Sequence, residues 1–163
     1  MKTSGLFLAL SLIAVMLLIA SYLFNNLSIA LTASSMLVTM AFARMVFSRE
    51  LRQVGFDARR KILDQVVFLD KPISILLEVE NKGAAQSVAI EDILPVNAEL
   101  ATGSNRLVQM LSRGEKAKVR YSVRPTTRGR IAFEEVKVEV SDRTGLFSYD
   151  ISIPEESEVV AHI

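Results

Sequence analysis

Carboxylates, arginines and one histidine are the side chains in this sequence that could do chemistry. Glu134-Glu135 is the densest acidic pair, but a strand sends adjacent residues to opposite faces, so the two cannot converge as an acid–base dyad and read as solvated. Asp142 and Asp150 flank a turn and could touch a cation. Two carboxylates without a ligand-dense loop make a poor calcium site. His162 has no serine motif or carboxylate arranged around it and reads as incidental. Arg120, Arg124, Arg128 and Arg130 form the most basic stretch, suited to phosphate, anionic lipid or an acidic partner. Glu134, Glu135 and Glu139 lie close enough in sequence to neutralise it, and no aromatics interleave to stack on bases, so a solvated or internally paired face is expected. The seven glycines are scattered singly, which excludes a glycine-rich phosphate loop. Cysteine is absent, which removes thiol nucleophiles, disulfides and Cys-ligated metals. The residues therefore predict no catalytic, cofactor-binding or metal site, and a chain that is not an enzyme.

The elements that position these residues belong to two chains of different character. The 163 residues carry 19 basic and 18 acidic side chains, a net charge of +1, which gives no global field for nucleic acid. Residues 1 to 47 hold only Lys2 and Arg44 and no acid, so nearly all the charge lies beyond residue 48.

Gly5 to Phe24 and Leu27 to Phe47 are apolar runs separated by Asn25-Asn26. Segments of 20 and 21 residues reach about 30 Å as helices, the thickness of a bilayer's hydrocarbon core. The short link predicts an antiparallel transmembrane hairpin after a tail at residues 1 to 4. Arg44, Arg49, Arg52, Arg59, Arg60 and Lys61 flank its carboxyl end and Lys2 its amino end, so the positive-inside rule places both termini and the folded domain in the cytoplasm of a multi-pass membrane protein. Arg44 is close enough to the end of its run to snorkel. A cleaved signal peptide is the rival reading, weakened by the full spanning length and by the second run. Ser28, Thr32, Ser35, Thr39 and Ala43 line one face of the second span with small side chains, predicting helix packing within the hairpin or, failing that, against another membrane protein.

After a juxtamembrane linker at residues 48 to 55, which could prolong the second helix by a turn or two, the apolar period becomes two. Residues 73 to 80, 117 to 123 and 136 to 140 alternate as strands with one dry face. Residues 56 to 63, 66 to 69, 87 to 94, 106 to 111, 146 to 151 and 158 to 162 are weaker candidates. Turn signals fall between them, including Asn81-Lys82-Gly83, Pro125 to Gly129 and Arg143-Thr144-Gly145. Seven to nine short strands over residues 56 to 163 predict an immunoglobulin-like antiparallel β-sandwich.

Tyr121, Thr127-Arg128-Gly129-Arg130-Ile131, Val136 to Val140 and Ser141-Asp142-Arg143-Thr144-Gly145-Leu146-Phe147 together resemble the signature of the domain-of-unknown-function 58 family. In that family an Arg-Gly-aromatic segment precedes an apolar strand and an Asp-Pro-Phe-Gly-Leu-Phe turn. Two amino-terminal spans, Leu77-Glu78-Val79-Glu80-Asn81 and Asp92-Ile93-Leu94-Pro95 extend the likeness over most of the chain. Arg143-Thr144 stands where Pro-Phe is usual and Ile131 where an aromatic is usual. Members typically continue into a von Willebrand factor A-like domain, so the chain is expected to be a fragment or a shortened relative. The resemblance implies a membrane-tethered accessory protein of a MoxR-type AAA+ ATPase system, with that ATPase or a von Willebrand factor A-like protein as partner beside the lipid bilayer.

Arg128, Gly129, Asp142, Gly145, Leu146 and Phe147 read as mainly structural. Arg128 and Asp142 are expected to pair and tie two strands, and Gly145 to take a positive φ before Leu146 and Phe147 enter the core. The expected function is a membrane-anchored, non-enzymatic interaction or scaffold module. The alternatives are the membrane-attachment part of a longer von Willebrand factor A-containing protein and an envelope structural protein.

Overall fold

The computed structural model describes the chain except Gln65, Val66, Asp70 and Ile163 and the side chains of Val67 and His162. It divides into two compact units, Met1–Gln53 with Ser141–Tyr149, and Val54–Val140 with Asp150–Ile163.

The first unit contains β1 (Lys2–Thr3), α1 (Gly5–Phe24) and α2 (Leu27–Leu51). Each helix is long and apolar enough to cross a membrane. The two asparagines between them divide the work of the turn. Asn25 takes the left-handed conformation, φ 47°, that ends α1. Asn26 caps α2, its side-chain oxygen accepting from the Ser28 N–H at 3.0 Å. Ser4 caps α1 in the same way, accepting from the Phe7 N–H at 3.3 Å.

Helix packing uses a different face from the one expected. Ala33, Met40 and Phe47 are buried on α2, seven residues apart like one position of a heptad, with Ala43 half-buried beside them and Ala14 buried on α1. Ser28, Thr32, Ser35 and Thr39 are exposed. The hydroxyls of Thr32 and Thr39 return to the carbonyls of Ser28 and Ser35 at 2.9 and 2.8 Å, so the small stripe satisfies itself along its own helix. The larger Met40 and Phe47 fill the seam because they remove more apolar surface. Residues 1 to 4 are also more than a tail: Lys2 and Thr3 pair antiparallel with Ser148 and Phe147.

The turn at 142–147 belongs to this unit. Asp142 accepts from the Phe147 N–H at 2.9 Å and the Thr144 N–H at 3.2 Å, as well as from the Thr144 hydroxyl. This is an Asx-type turn, which commits the Asp142 carboxylate locally rather than to Arg128. Gly145 takes φ +71°, as its place in the turn predicts, and Leu146 and Phe147 follow into burial. The Phe147 ring lies 5.1 Å from Phe7 and 6.2 Å from Phe47, between the first turns of α1 and the last turn of α2. The Ser4 N–H donates to the Leu146 carbonyl at 2.9 Å.

The second unit is two β-sheets. One has the order β2 (Phe56–Ile62), β4 (Ile73–Asn81), β8 (Lys116–Pro125), β6 (Ala98–Gly103), all antiparallel. The other contains β10 (Phe147–His162), β9 (Gly129–Ser141), β5 (Gln86–Asp92) and β7 (Arg106–Leu111) in that order. Two residues of β3 (Val67–Phe68) lie parallel to the end of β10. Alternation fills the core: Ile73, Ile75, Leu77 and Val79 of β4 face inward with Val119, Tyr121 and Val123 of β8, Val88 and Ile90 of β5 and Val136, Val138 and Val140 of β9.

Four differences from the sequence reading have physical causes. Strand β6 lacks apolar alternation; it is held by pairing with β8 and carries an irregularity between Leu100 and Thr102. Strand β9 starts at Gly129 because Ile131 and Phe133 are buried before the alternation slips. Phe133 and Val136 both face inward three residues apart, so Glu134 and Glu135 are both exposed rather than on opposite faces. Strand β10 runs through Pro154, which lies between the ends where β1 and β3 pair with it and so falls on a stretch of open edge. The expected strand over 66 to 69 begins outside the described residues, which show β3 at Val67–Phe68.

Gly145 and Gly103 give a graded test of the turns. At Gly145 a Cβ would meet open space, so Gly145→Ala carries only the left-handed backbone cost, about 1–2 kcal/mol. At Gly103, φ +82°, a Cβ would lie 2.9 Å from the Arg120 carbonyl oxygen and 3.0 Å from the Tyr121 Cα. Thermal unfolding in micelles should therefore drop for both alanine variants, and further for Gly103→Ala. An unchanged melt for Gly145→Ala contradicts the structural role of its turn.

Candidate functional site

Arg60 occupies a core position of β2, on the same side as Ala58, while Asp57, Arg59 and Lys61 point the other way. Asp92 ends β5 on the side of Val88 and Ile90, and Tyr121 sits in the middle of β8 between Val119 and Val123. These three polar residues meet across the two sheets. The Arg60 Nη2 donates to Asp92 Oδ1 at 2.6 Å and Nε to Oδ2 at 3.0 Å, a bidentate pair with both side chains fully buried. The Tyr121 hydroxyl donates to Asp92 Oδ2 at 2.5 Å. The Arg60 Nη1 donates to the Glu155 carbonyl at 2.5 Å and to Ser157 Oγ at 3.0 Å, and the guanidinium carbon lies 4.9 Å from the centre of the Phe133 ring. The backbone of Arg60 donates to Glu155 Oε1 at 3.1 Å. Asn105 holds both backbone groups of Asp92, each at 2.9 Å.

Burial, then the negative charge of Asp92 and the hydrogen bond to it, push the Tyr121 phenol well above its ordinary value. An arginine cannot release its proton, the phenol stays protonated, and both Asp92 oxygens are occupied by donors. The cluster is built to hold two sheets together rather than to move a proton.

Above Phe133 the surface opens into a cleft of about 480 Å³ lined also by Arg130, Ala132, Glu134 and Glu156 to Glu158. A second cleft of about 320 Å³ shares Arg130, Ala132 and Glu134 and is walled by Ile93 to Asn97, with Val96 fully exposed. Arg130 pairs with Glu158 at 2.6 Å, not with the acids expected from sequence proximity. Arg120, Arg124 and Arg128 are exposed. The outer face of the β2-β4-β8-β6 sheet carries Lys118 3.4 Å from Glu78, Lys116 3.7 Å from Glu80 and Lys82 3.1 Å from Asp57, a face of exposed pairs. Asp150 lies 3.5 Å from Lys137. Among the described residues no group of three His, Asp or Glu side chains is placed to hold a metal ion. Gly129 has φ +111° at the start of β9.

By its place in the sequence Arg60 belongs to the basic flank of the second apolar run, and its neighbours there do not point to the cluster. The available signal was parity: Arg60, Asp92 and Tyr121 each fall on the apolar side of their strand, and a polar group there requires an internal partner.

No protein-family model matches the chain, and no curated protein matches it. Among solved structures, a FixG-related protein from Vibrio parahaemolyticus is similar at 13% identity, covering 68% of this chain and 98% of its own, with a TM-score of 0.40.

The raised Tyr121 pKa fixes a sign for pH dependence. The folded protein keeps the phenol protonated while the unfolded chain ionises from about pH 10, so the stabilisation is complete below that value and is lost as pH rises beyond it. Stability should fall above about pH 10, and the gap between the native protein and Tyr121→Phe should narrow there. Parallel falls in the two proteins contradict the assignment.

Proposed function

We propose that the chain is a membrane-anchored interaction module, with α1 and α2 crossing the bilayer as a hairpin and the second unit standing as an immunoglobulin-like β-sandwich in the cytoplasm. The observation that carries this reading is the hairpin itself: two apolar helices joined by a two-asparagine turn, each capped, with Leu8, Leu12, Met16, Leu31 and Phe42 exposed on their outer surfaces. An exposed apolar surface of that extent suits hydrocarbon rather than water. Arg49, Arg52, Arg59 and Lys61 support the cytoplasmic orientation, while Arg60, neutralised by Asp92, does not count toward it.

The strand order supports the sandwich. The sheet β2-β4-β8-β6 follows the A-B-E-D order of immunoglobulin domains, and β5, β9 and β10 follow C-F-G, with β7 added beside C. The chain resembles the domain-of-unknown-function 58 family over its Asp142 to Phe147 turn, and on that resemblance it serves as an accessory to a MoxR-type AAA+ ATPase or to a von Willebrand factor A-like protein. Its role is non-enzymatic: the clefts beside Phe133 and Pro95 are open and rimmed by glutamates, and suit contact with a protein surface.

A reporter fused after Ile163 should be active only in its cytoplasmic form; activity of an externally matured reporter contradicts the orientation. Gentle extraction from native membranes with a tag should recover an AAA+ ATPase or a von Willebrand-type protein in stoichiometric amount. Recovery of the chain alone from a crosslinked sample contradicts the accessory role.

A further inference from the structure

A sheet edge presents unpaired backbone groups, and proteins blunt such edges with charges, prolines, bulges or covering segments. Three of the four edges in the second unit are blunted. Strand β2 alternates Asp57, Arg59 and Lys61 outward and turns Arg60 inward. Strand β6 is irregular at Leu100 to Thr102. Strand β10 contains Pro154 and is met by β3 at its end. Strand β7 has none of these devices: its pairing with β5 is unbroken from Gln86↔Leu111 to Glu91↔Arg106, its only charge is the first residue, and it exposes Val108 by 64% and Met110 by 56%.

The ladder fixes which groups of β7 are free. The Asp92 N–H bonds the Asn105 carbonyl directly opposite, which makes that a hydrogen-bonded pair. Such pairs alternate, so Leu107, Gln109 and Leu111 turn their backbone groups toward β5, and Arg106, Val108 and Met110 turn theirs to the open edge. Among the described residues no strand takes them up.

We infer that β7 is a self-association edge whose occupant is the β7 strand of a second copy of this chain, running antiparallel. Of the registers that pair these free backbone groups with one another, the one centred on Gln109 keeps Arg106 clear of the apolar pairs. With Gln109 on the two-fold axis, Val108 faces Met110 of the second copy and Leu107 faces Leu111. The exposed apolar side chains then meet on the outer face, the free backbone groups of Val108 and Met110 pair, and Arg106 falls opposite Ser112 rather than another cation. A partner strand with charge at the positions facing Val108 and Met110 would lose this match. The inference rests on the ladder and not on the membrane reading.

The chain has no cysteine, so single cysteines report the geometry cleanly. In this register Gln109 forms a non-hydrogen-bonded pair with its symmetry mate, at about 4.5 Å between Cα atoms, within disulfide reach. The full chain carrying Gln109→Cys, in detergent micelles under mild oxidation, should give a disulfide-linked dimer at least tenfold faster than Arg59→Cys on the β2 edge of the other sheet. Adding Val108→Lys should suppress that dimer at least tenfold. The cysteine-free chain should scatter light as two copies per micelle. Equal cross-linking at 59 and 109, insensitivity to Val108→Lys, or a single-copy mass overturns the inference.

Discussion

The fully buried ion pair between Arg60 and Asp92 is the constraint on which the β unit depends. Removing a guanidinium and a carboxylate from water costs several kcal/mol per ion, recovered only when geometry is good and the remaining hydrogen-bonding groups find partners. Here the pair is bidentate, the spare Asp92 lone pair takes the Tyr121 hydroxyl, and Arg60 reaches a backbone carbonyl and a hydroxyl of β10. Four strands from both sheets thus converge on one charge centre. A slip of β2 or β5 by one residue would turn Arg60 or Asp92 out of the core and leave the other charge buried alone. Apolar packing tolerates several arrangements, whereas this cluster is satisfied in one.

The helical unit depends on a second local device, the turn from Asp142 to Phe147. Asp142 closes the turn through backbone donors, Gly145 supplies the left-handed step, and Phe147 is delivered between Phe7 and Phe47. The Asp142 to Phe147 part of the family resemblance is therefore accounted for by folding. A turn that places one phenylalanine against two helices has a structural reason for each of its Asp, Gly and Phe residues. Arg128, exposed at the start of the Arg-Gly segment, is the signature residue to which the fold gives no such reason.

Much of this was legible in the sequence because the signals are local. The two apolar helices, their asparagine turn, the alternating strands β4 and β8, and the positive φ at Gly145 follow from runs, periods and single residues. What was hidden depends on partners distant in the chain. Arg60 looked like one more cation beside a membrane span, since nothing near it in sequence names Asp92, 32 residues on, as its counter-ion. Strand β6 exists through pairing with β8 rather than through its own alternation, and the first half of β9 was hidden by the slip of the alternation at Glu134-Glu135. The α2 seam of Ala33, Met40 and Phe47 was obscured because nearly every residue of that helix is apolar or small, so composition could not choose a face.

Arg60 and Asp92 stabilise the fold as a unit. A double-mutant cycle on the full chain in micelles, comparing Arg60→Met, Asp92→Leu and the double variant by denaturant unfolding, addresses it directly. Each single change should cost about 3–5 kcal/mol by stranding a buried charge, and the double variant should be more stable than either single one. Additive losses, with the double variant the least stable of the three, would contradict it.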